Sequence, residues 1–139
     1  MQTARIKNAI SQEEAKKEVQ NVEKAFYNAT GEKLKYLRPT YGNANANVRA
    51  VTDIPIINWC VDARDWESRN ADKVIETIME TKNFDGKIIL MHVIYDSTIE
   101  AVDRLIPMLQ EKGYQIVTIS EMVEAKGKTL ENGKIYYQF

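Results

Sequence analysis

Ile54-Pro55-Ile56-Ile57-Asn58-Trp59-Cys60-Val61 is the stretch on which the fold of this chain turns. It is largely apolar and rich in β-branched residues, which suits a strand buried on both faces better than one alternating between core and water. Polar residues follow at once, Asp62-Ala63-Arg64-Asp65-Trp66. Asn70 then stands where a helix takes its N-cap, with Val74, Ile75, Ile78 and Met79 recurring on one face. Strand, polar loop, helix is the repeating unit of parallel α/β architectures.

Working outward, the pattern repeats. Asp85-Gly86 makes a turn, and Lys87 to His92 is a second buried strand. The next helix runs from Ser97 or Thr98 to Lys112, with Ala101, Leu105, Met108 and Leu109 inward and Gly113 closing it. Tyr114 to Ile119 reads as a strand, Ser120 as the cap of a short helix carrying Met122 and Val123, and Lys134 to Phe139 as an edge strand. Upstream, Ser11-Gln12-Glu13-Glu14 is a capping box. It opens a helix with Ala15, Val19, Val22, Ala25 and Phe26 on its apolar face and Gly31 at its end. Lys33 to Leu37 is a short strand ended by Pro39, and Asn43 to Val51 a short helix. The expected fold is α/β, a single domain over residues 1–139 with about four βα units and parallel strands. Periodicity leaves open whether these form part of an eight-unit barrel or a small open sheet.

Composition narrows the function. The 139 residues carry Lys+Arg 19 against Asp+Glu 20, a net charge of −1, which gives no bulk electrostatic case for nucleic acid. No apolar run approaches the roughly 20 residues of a membrane span. Met1 to Ile10 includes Arg5 and Lys7 but no apolar run, so it does not read as a secretory signal. Cys60 is the single cysteine and His92 the single histidine. Intrachain disulfides and a multi-imidazole zinc site are therefore excluded within one copy. No Gly-rich phosphate loop supports a nucleotide-binding reading.

Functional groups in parallel α/β folds gather where strands end. Arg38 and Tyr41 follow the first strand here, Asp62, Asp65 and Trp66 the second, and His92 ends the third. Each has a plainer alternative. Arg38 could be a surface ion-pair residue, Asp62 and Asp65 helix-entry acids, and His92 a hydrogen-bonded structural residue. Trp59, inside a strand, reads as core, and Cys60 as a buried small hydrophobe. Trp66, in a polar loop, is better placed to line a groove.

Read together, three segments resemble one family. Leu37-Arg38-Pro39-Thr40-Tyr41-Gly42 is similar to the Arg-Pro-Pro-Tyr-Gly turn of the polysaccharide deacetylases, carbohydrate esterase family four. Trp59-Cys60-Val61-Asp62-Ala63-Arg64-Asp65-Trp66 is similar to their Trp-x-Val-Asp-x-x-Asp-Trp segment, and Ile89-Leu90-Met91-His92 to their Leu-x-His strand end. The likeness begins at Ser11 and covers the C-terminal half of such a catalytic domain. It implies a partial (β/α) barrel and the removal of N-acetyl groups from polymers such as peptidoglycan or chitin. A divalent metal such as zinc polarises the acetyl carbonyl in that family and activates the attacking water. By position, His92 would be the acid that protonates the departing amine, a role imidazole serves because its ordinary pKa lies near physiological pH. Arg38 would orient the catalytic base, assisted by Asp65, so the two are expected to pair. Leu90 would line the acetyl-methyl pocket, the Tyr41 amide would help hold the oxyanion, and Trp66 would wall the sugar groove.

The family's Thr-Phe-Asp-Asp-Gly and His-Ser/Thr-x-x-x-His segments supply the base and metal ligands, and neither has a counterpart here. Val93 follows His92 where the family often has Asp, and Thr40 replaces a Pro. The resemblance therefore implies a truncated deacetylase, without its own metal site and inactive alone. The alternative is a non-catalytic carbohydrate-binding or assembly module retaining the groove wall. Either reading expects a carbohydrate polymer as ligand. Either also expects a homodimer, or a missing N-terminal half, to cover the apolar strands Ile54–Val61 and Lys87–His92.

Overall fold

Ser11 starts the first helix as its capping box requires. Its hydroxyl accepts from the Glu14 amide at 3.3 Å, while the Glu14 carboxylate accepts from the Ser11 amide at 2.8 Å. The computed structural model describes residues 11–139, so the reading of Met1 to Ile10 lies outside the described residues. These residues divide between two compact units, the first reaching Asn58 and including Thr129–Tyr137, the second comprising Trp59–Lys128 and Gln138–Phe139.

In the first unit, α1 (Gln12–Thr30) ends at Gly31, whose left-handed φ of 73° lets its amide donate back to the Tyr27 carbonyl. The helix buries Ala15 and Val19 against Leu37, Val48 and Ile56, with Val22 half-buried; Ala25, expected inward, is exposed. Asn45 caps α2 (Ala46–Val51) by accepting from the Val48 amide. At the centre lies β1 (Ile56–Ile57), fully buried. It pairs in parallel with β4 (Ile135–Tyr136), and Leu37 bridges to it, also in parallel. The expected strand Lys33–Leu37 thus contracts to one bridge at Leu37, and the expected tail strand Lys134–Phe139 to Ile135–Tyr136, which runs parallel to β1.

In the second unit, β2 (Val61–Asp62) pairs in parallel with β3 (Ile89–Leu90). Between them run α3 (Asp65–Ser68) and α4 (Ala71–Met79), and after them α5 (Asp96–Glu111) and α6 (Ile119–Ala125). Val74 and Ile78 of α4 pack with Ala101, Leu105 and Leu109 of α5 in a buried core. Asn70 caps α4 as the sequence indicates, accepting from the Lys73 amide at 3.0 Å.

Further expectations need correcting: Met108, expected inward, is exposed, and the strand Lys87–His92 contracts to Ile89–Leu90. The run Ile54–Val61 is not one strand: the Cys60 and Val61 amides both donate to the Ile88 carbonyl, at 3.1 and 3.2 Å. That is the mark of an extra residue, and it leaves Cys60 exposed rather than buried. Tyr114–Ile119 forms no strand, because among the described residues no neighbouring chain pairs with it, and Ile116 is exposed. Thr118, not Ser120, caps α6, in a second capping box with Glu121. The chain is helix-rich with short strands in parallel ladders, and no helix among the described residues is long and apolar enough to cross a membrane.

Candidate functional site

The β2–β3 register sets Asp62 beside Leu90, and the Ala63 amide donates to the Leu90 carbonyl at 3.2 Å. Both chains then leave their strands together, which brings Asp65, three residues beyond Asp62, against His92, two beyond Leu90. The Asp65 side chain has no exposed surface. Its Oδ1 accepts from the His92 ring Nδ1 at 2.8 Å and from the Trp66 amide at 3.0 Å. Its Oδ2 accepts from the His92 amide at 2.5 Å and from the Thr98 hydroxyl at 2.8 Å. A buried carboxylate is costly unless such bonds compensate it. Burial pushes the Asp65 carboxyl up, but the bonds from the His92 ring and amide and from Thr98, with the His92 charge, outweigh it and hold it below its ordinary value.

An ionised carboxylate only accepts, so Nδ1 of His92 carries the hydrogen in this pair. The other ring nitrogen, Nε2, is left to act. The His92 side chain keeps 38% of its surface exposed, so this is an oriented imidazole with one face open to solvent. Such an arrangement can deliver a proton to a leaving group or take one from a nucleophile.

Trp66 lies in α3 next to Asp65 and is 48% exposed. Leu90 is half-buried in β3, two residues before His92. Asp62 accepts from the Arg64 amide at 2.9 Å and so shapes the loop, a local role like the plainer alternative considered for it. Asp65 is more than a helix-entry acid, since His92 and Thr98 occupy one of its oxygens and His92 with Trp66 the other. Thr98 escaped the sequence reading as anything but a helix start. The only signal for it was a hydroxyl in the first turn of a helix whose later inward residues are apolar.

In the first unit, Arg38 lies between buried Leu37 and Pro39. Its Nε donates to the Ile57 carbonyl at 3.4 Å, and burial pushes the guanidinium pKa down from its ordinary value. Within its own unit, Asp65 is bonded to His92, Thr98 and the Trp66 amide, and Arg38 within its own to a main-chain carbonyl. Tyr41 follows in a tight turn, Thr40–Gly42, with a left-handed φ of 57°. Its ring is 83% exposed. Two overlapping turns hold that conformation, Gly42 N to Pro39 O and Asn43 N to Thr40 O, and Asn58 Nδ2 donates to the Gly42 carbonyl at 2.8 Å.

Among the described residues no three His, Cys, Asp or Glu side chains converge as metal ligands. Residues 1–10 contain none of these types, and His92 has Nδ1 committed to Asp65. The described residues therefore assemble no three-ligand set for a divalent ion.

Comparison with known proteins finds several likenesses. The sequence pattern of the polysaccharide deacetylase family matches residues 3–54. The peptidoglycan-N-acetylglucosamine deacetylase PgdA of Listeria monocytogenes is 35% identical over 127 residues, 91% of this chain and 26% of its own length. The T48 deacetylase, solved with substrate, superimposes with a TM-score of 0.82 at 32% identity, over 91% of this chain and 62% of that one. A family 4 acetyl xylan esterase from Clostridium thermocellum, solved with a cobalt ion, shares the fold over 93% of this chain and 65% of its own, with a TM-score of 0.83 at 24% identity. This chain thus spans about a quarter of the curated relative and under two thirds of the solved ones. Through these likenesses, this chain matches a C-terminal part of the polysaccharide deacetylase catalytic domain.

Proposed function

We propose that this chain supplies the acid-and-groove side of a polysaccharide N-deacetylase acting on N-acetylated sugars of the peptidoglycan or chitin type, and that it is inactive alone. The observation that carries the proposal is the Asp65–His92 pair, which commits Nδ1 and leaves the His92 side chain 38% exposed, with exposed Trp66 next to Asp65 in the chain. As the acetyl carbon–nitrogen bond breaks, the amine nitrogen must gain a proton; His92 in its imidazolium form donates it from Nε2 and becomes neutral, while Asp65 keeps the ring oriented through Nδ1–H. Trp66 walls the groove and Leu90 lines the acetyl-methyl pocket. In the first unit, Arg38 orients a carboxylate base that this chain lacks, and the Tyr41 amide faces the developing oxyanion.

The architecture we infer is a partial (β/α) barrel of about four βα units within one domain, supported by the parallel ladders and by the likeness to solved deacetylases. The base and metal ligands then lie on a missing N-terminal half, or the open edges are covered by a second copy of this chain. The test is complementation. The full chain is assayed for acetate release from N-acetylated glycan, alone and with a separately produced polypeptide bearing a deacetylase base and metal site. Activity should arise only in the mixture and fall at least about 100-fold with His92→Ala. Activity in the mixture that ignores His92 would refute its role. Glycan binding with no activity in any mixture would mean a carbohydrate-binding module.

A further inference from the structure

Two short turns lie side by side in the second unit, and they are clasped at both ends. One runs from Asp65 to Arg69, whose amide donates to the Asp65 carbonyl at 3.0 Å. The other runs from His92 to Tyr95, closed by the Tyr95 amide to the His92 carbonyl at 3.4 Å. Asp65 and His92 join the first ends. At the last ends the Arg69 guanidinium lies over the Tyr95 ring, 5.1 Å from its centroid. Between the clasps the surface is unusually apolar for solvent, with Trp66 on one turn and Val93 and Ile94, 74% and 78% exposed, on the other.

Arg69 is held there against local preference. Its φ is 44°, a left-handed conformation that suits glycine or asparagine at a helix end and costs an arginine side chain. It makes no ion pair among the described residues, whereas Arg64 at the other end of α3 pairs with Glu67 at 2.7 Å. Asp96, next to Tyr95, does not engage it either. A guanidinium lying over an aromatic face has its position fixed and keeps N–H donors for a planar, bidentate anion, which a carboxylate matches.

Resting on the deacetylase reading, we propose that Arg69, seated on Tyr95, binds a carboxylate carried by the glycan about one sugar away from the N-acetyl group presented to His92. The His92–Tyr95 turn carries the imidazole at one end and the ring that seats the guanidinium at the other. The favoured polymer is then an acidic one, with a lactyl or peptide carboxylate, over neutral chitin.

The full chain would be titrated by calorimetry with two tetrasaccharides, one of N-acetylglucosamine alone and one containing N-acetylmuramic acid. The acidic fragment should bind about tenfold more tightly, the worth of one charge-assisted pair. Arg69→Gly should abolish that preference without lowering the thermal midpoint, since glycine relieves the backbone, and Arg69→Lys should keep only part of it. Equal binding of both fragments, or a preference that survives Arg69→Gly, would overturn the carboxylate site while leaving the glycan reading intact. If neither fragment binds, both readings fail together.

Discussion

Asp65 holds His92 twice, accepting from its ring at 2.8 Å and from its main-chain amide at 2.5 Å. One carboxylate therefore fixes both where the loop after β3 lies and which way the imidazole faces. Replacing it leaves the Thr98 hydroxyl buried without its acceptor and frees both contacts to His92. Asp65→Ala should cost about 3 kcal/mol by urea denaturation, and Thr98→Val, which keeps the shape but removes one donor, about 1–2 kcal/mol. Near-wild-type stability of Asp65→Ala would show that the cluster does not order this unit.

The same cluster predicts how stability responds to acid. Asp65 has a folded pKa below its unfolded value, so the stability it confers is fully present above the ordinary carboxylate range and is lost as pH falls through the lowered value. The difference in unfolding free energy between wild type and Asp65→Asn should therefore be flat above about pH 5 and shrink steadily below about pH 4. A difference that instead grows on acidification would contradict the sign assigned to this carboxyl.

How much of this was legible in the sequence depends on how local the determinant was. Capping residues are read within three or four positions, and Ser11, Gly31 and Asn70 behave as their chemistry dictates. The ends of the apolar runs located Asp65, Trp66 and His92, because a strand that stops must present polar groups. Partners separated by many residues were not legible. Asp65 turns to Thr98 and His92 because the β2–β3 register, a tertiary fact, decides what lies beside it. The Tyr114–Ile119 segment failed for the complementary reason: strand propensity is expressed only where a neighbouring chain offers hydrogen bonds. Cys60 failed because an inserted residue shifts which side chain meets water.

Gly86 tests the docking of the C-terminal residues. It has a φ of 72°, and a Cβ built there would lie 1.7 Å from the Phe139 carbonyl oxygen. The Phe139 amide in turn donates to the Gly86 carbonyl at 2.9 Å. Because the obstacle is main chain, no rotamer change relieves it. Gly86→Ala should lose several kcal/mol or release Gln138–Phe139, seen as faster amide exchange at Phe139, whereas Gly31→Ala, with nothing within 4 Å, should cost about 1 kcal/mol from its backbone conformation alone.

The second unit's ladder contains β2 and β3 alone among the described residues, so each strand has one edge without a ladder partner. Val61, Ile89 and Leu90 are half-buried, and Val93 and Ile94 just beyond are largely exposed. Exposed strand edges bordered by apolar side chains invite another chain, and two-fold pairing is the commonest way proteins satisfy them. A pair stable at micromolar concentration should bury upward of about 1,200 Å² in total. Light scattering behind a size-exclusion column should accordingly give twice the 16.0 kDa chain mass. Replacing Ile94 by Lys should return the mass to a single chain without unfolding it, because an exposed side chain contributes nothing to the core. A stable monomer at high concentration in the wild type would show that the edges are tolerated without a second copy.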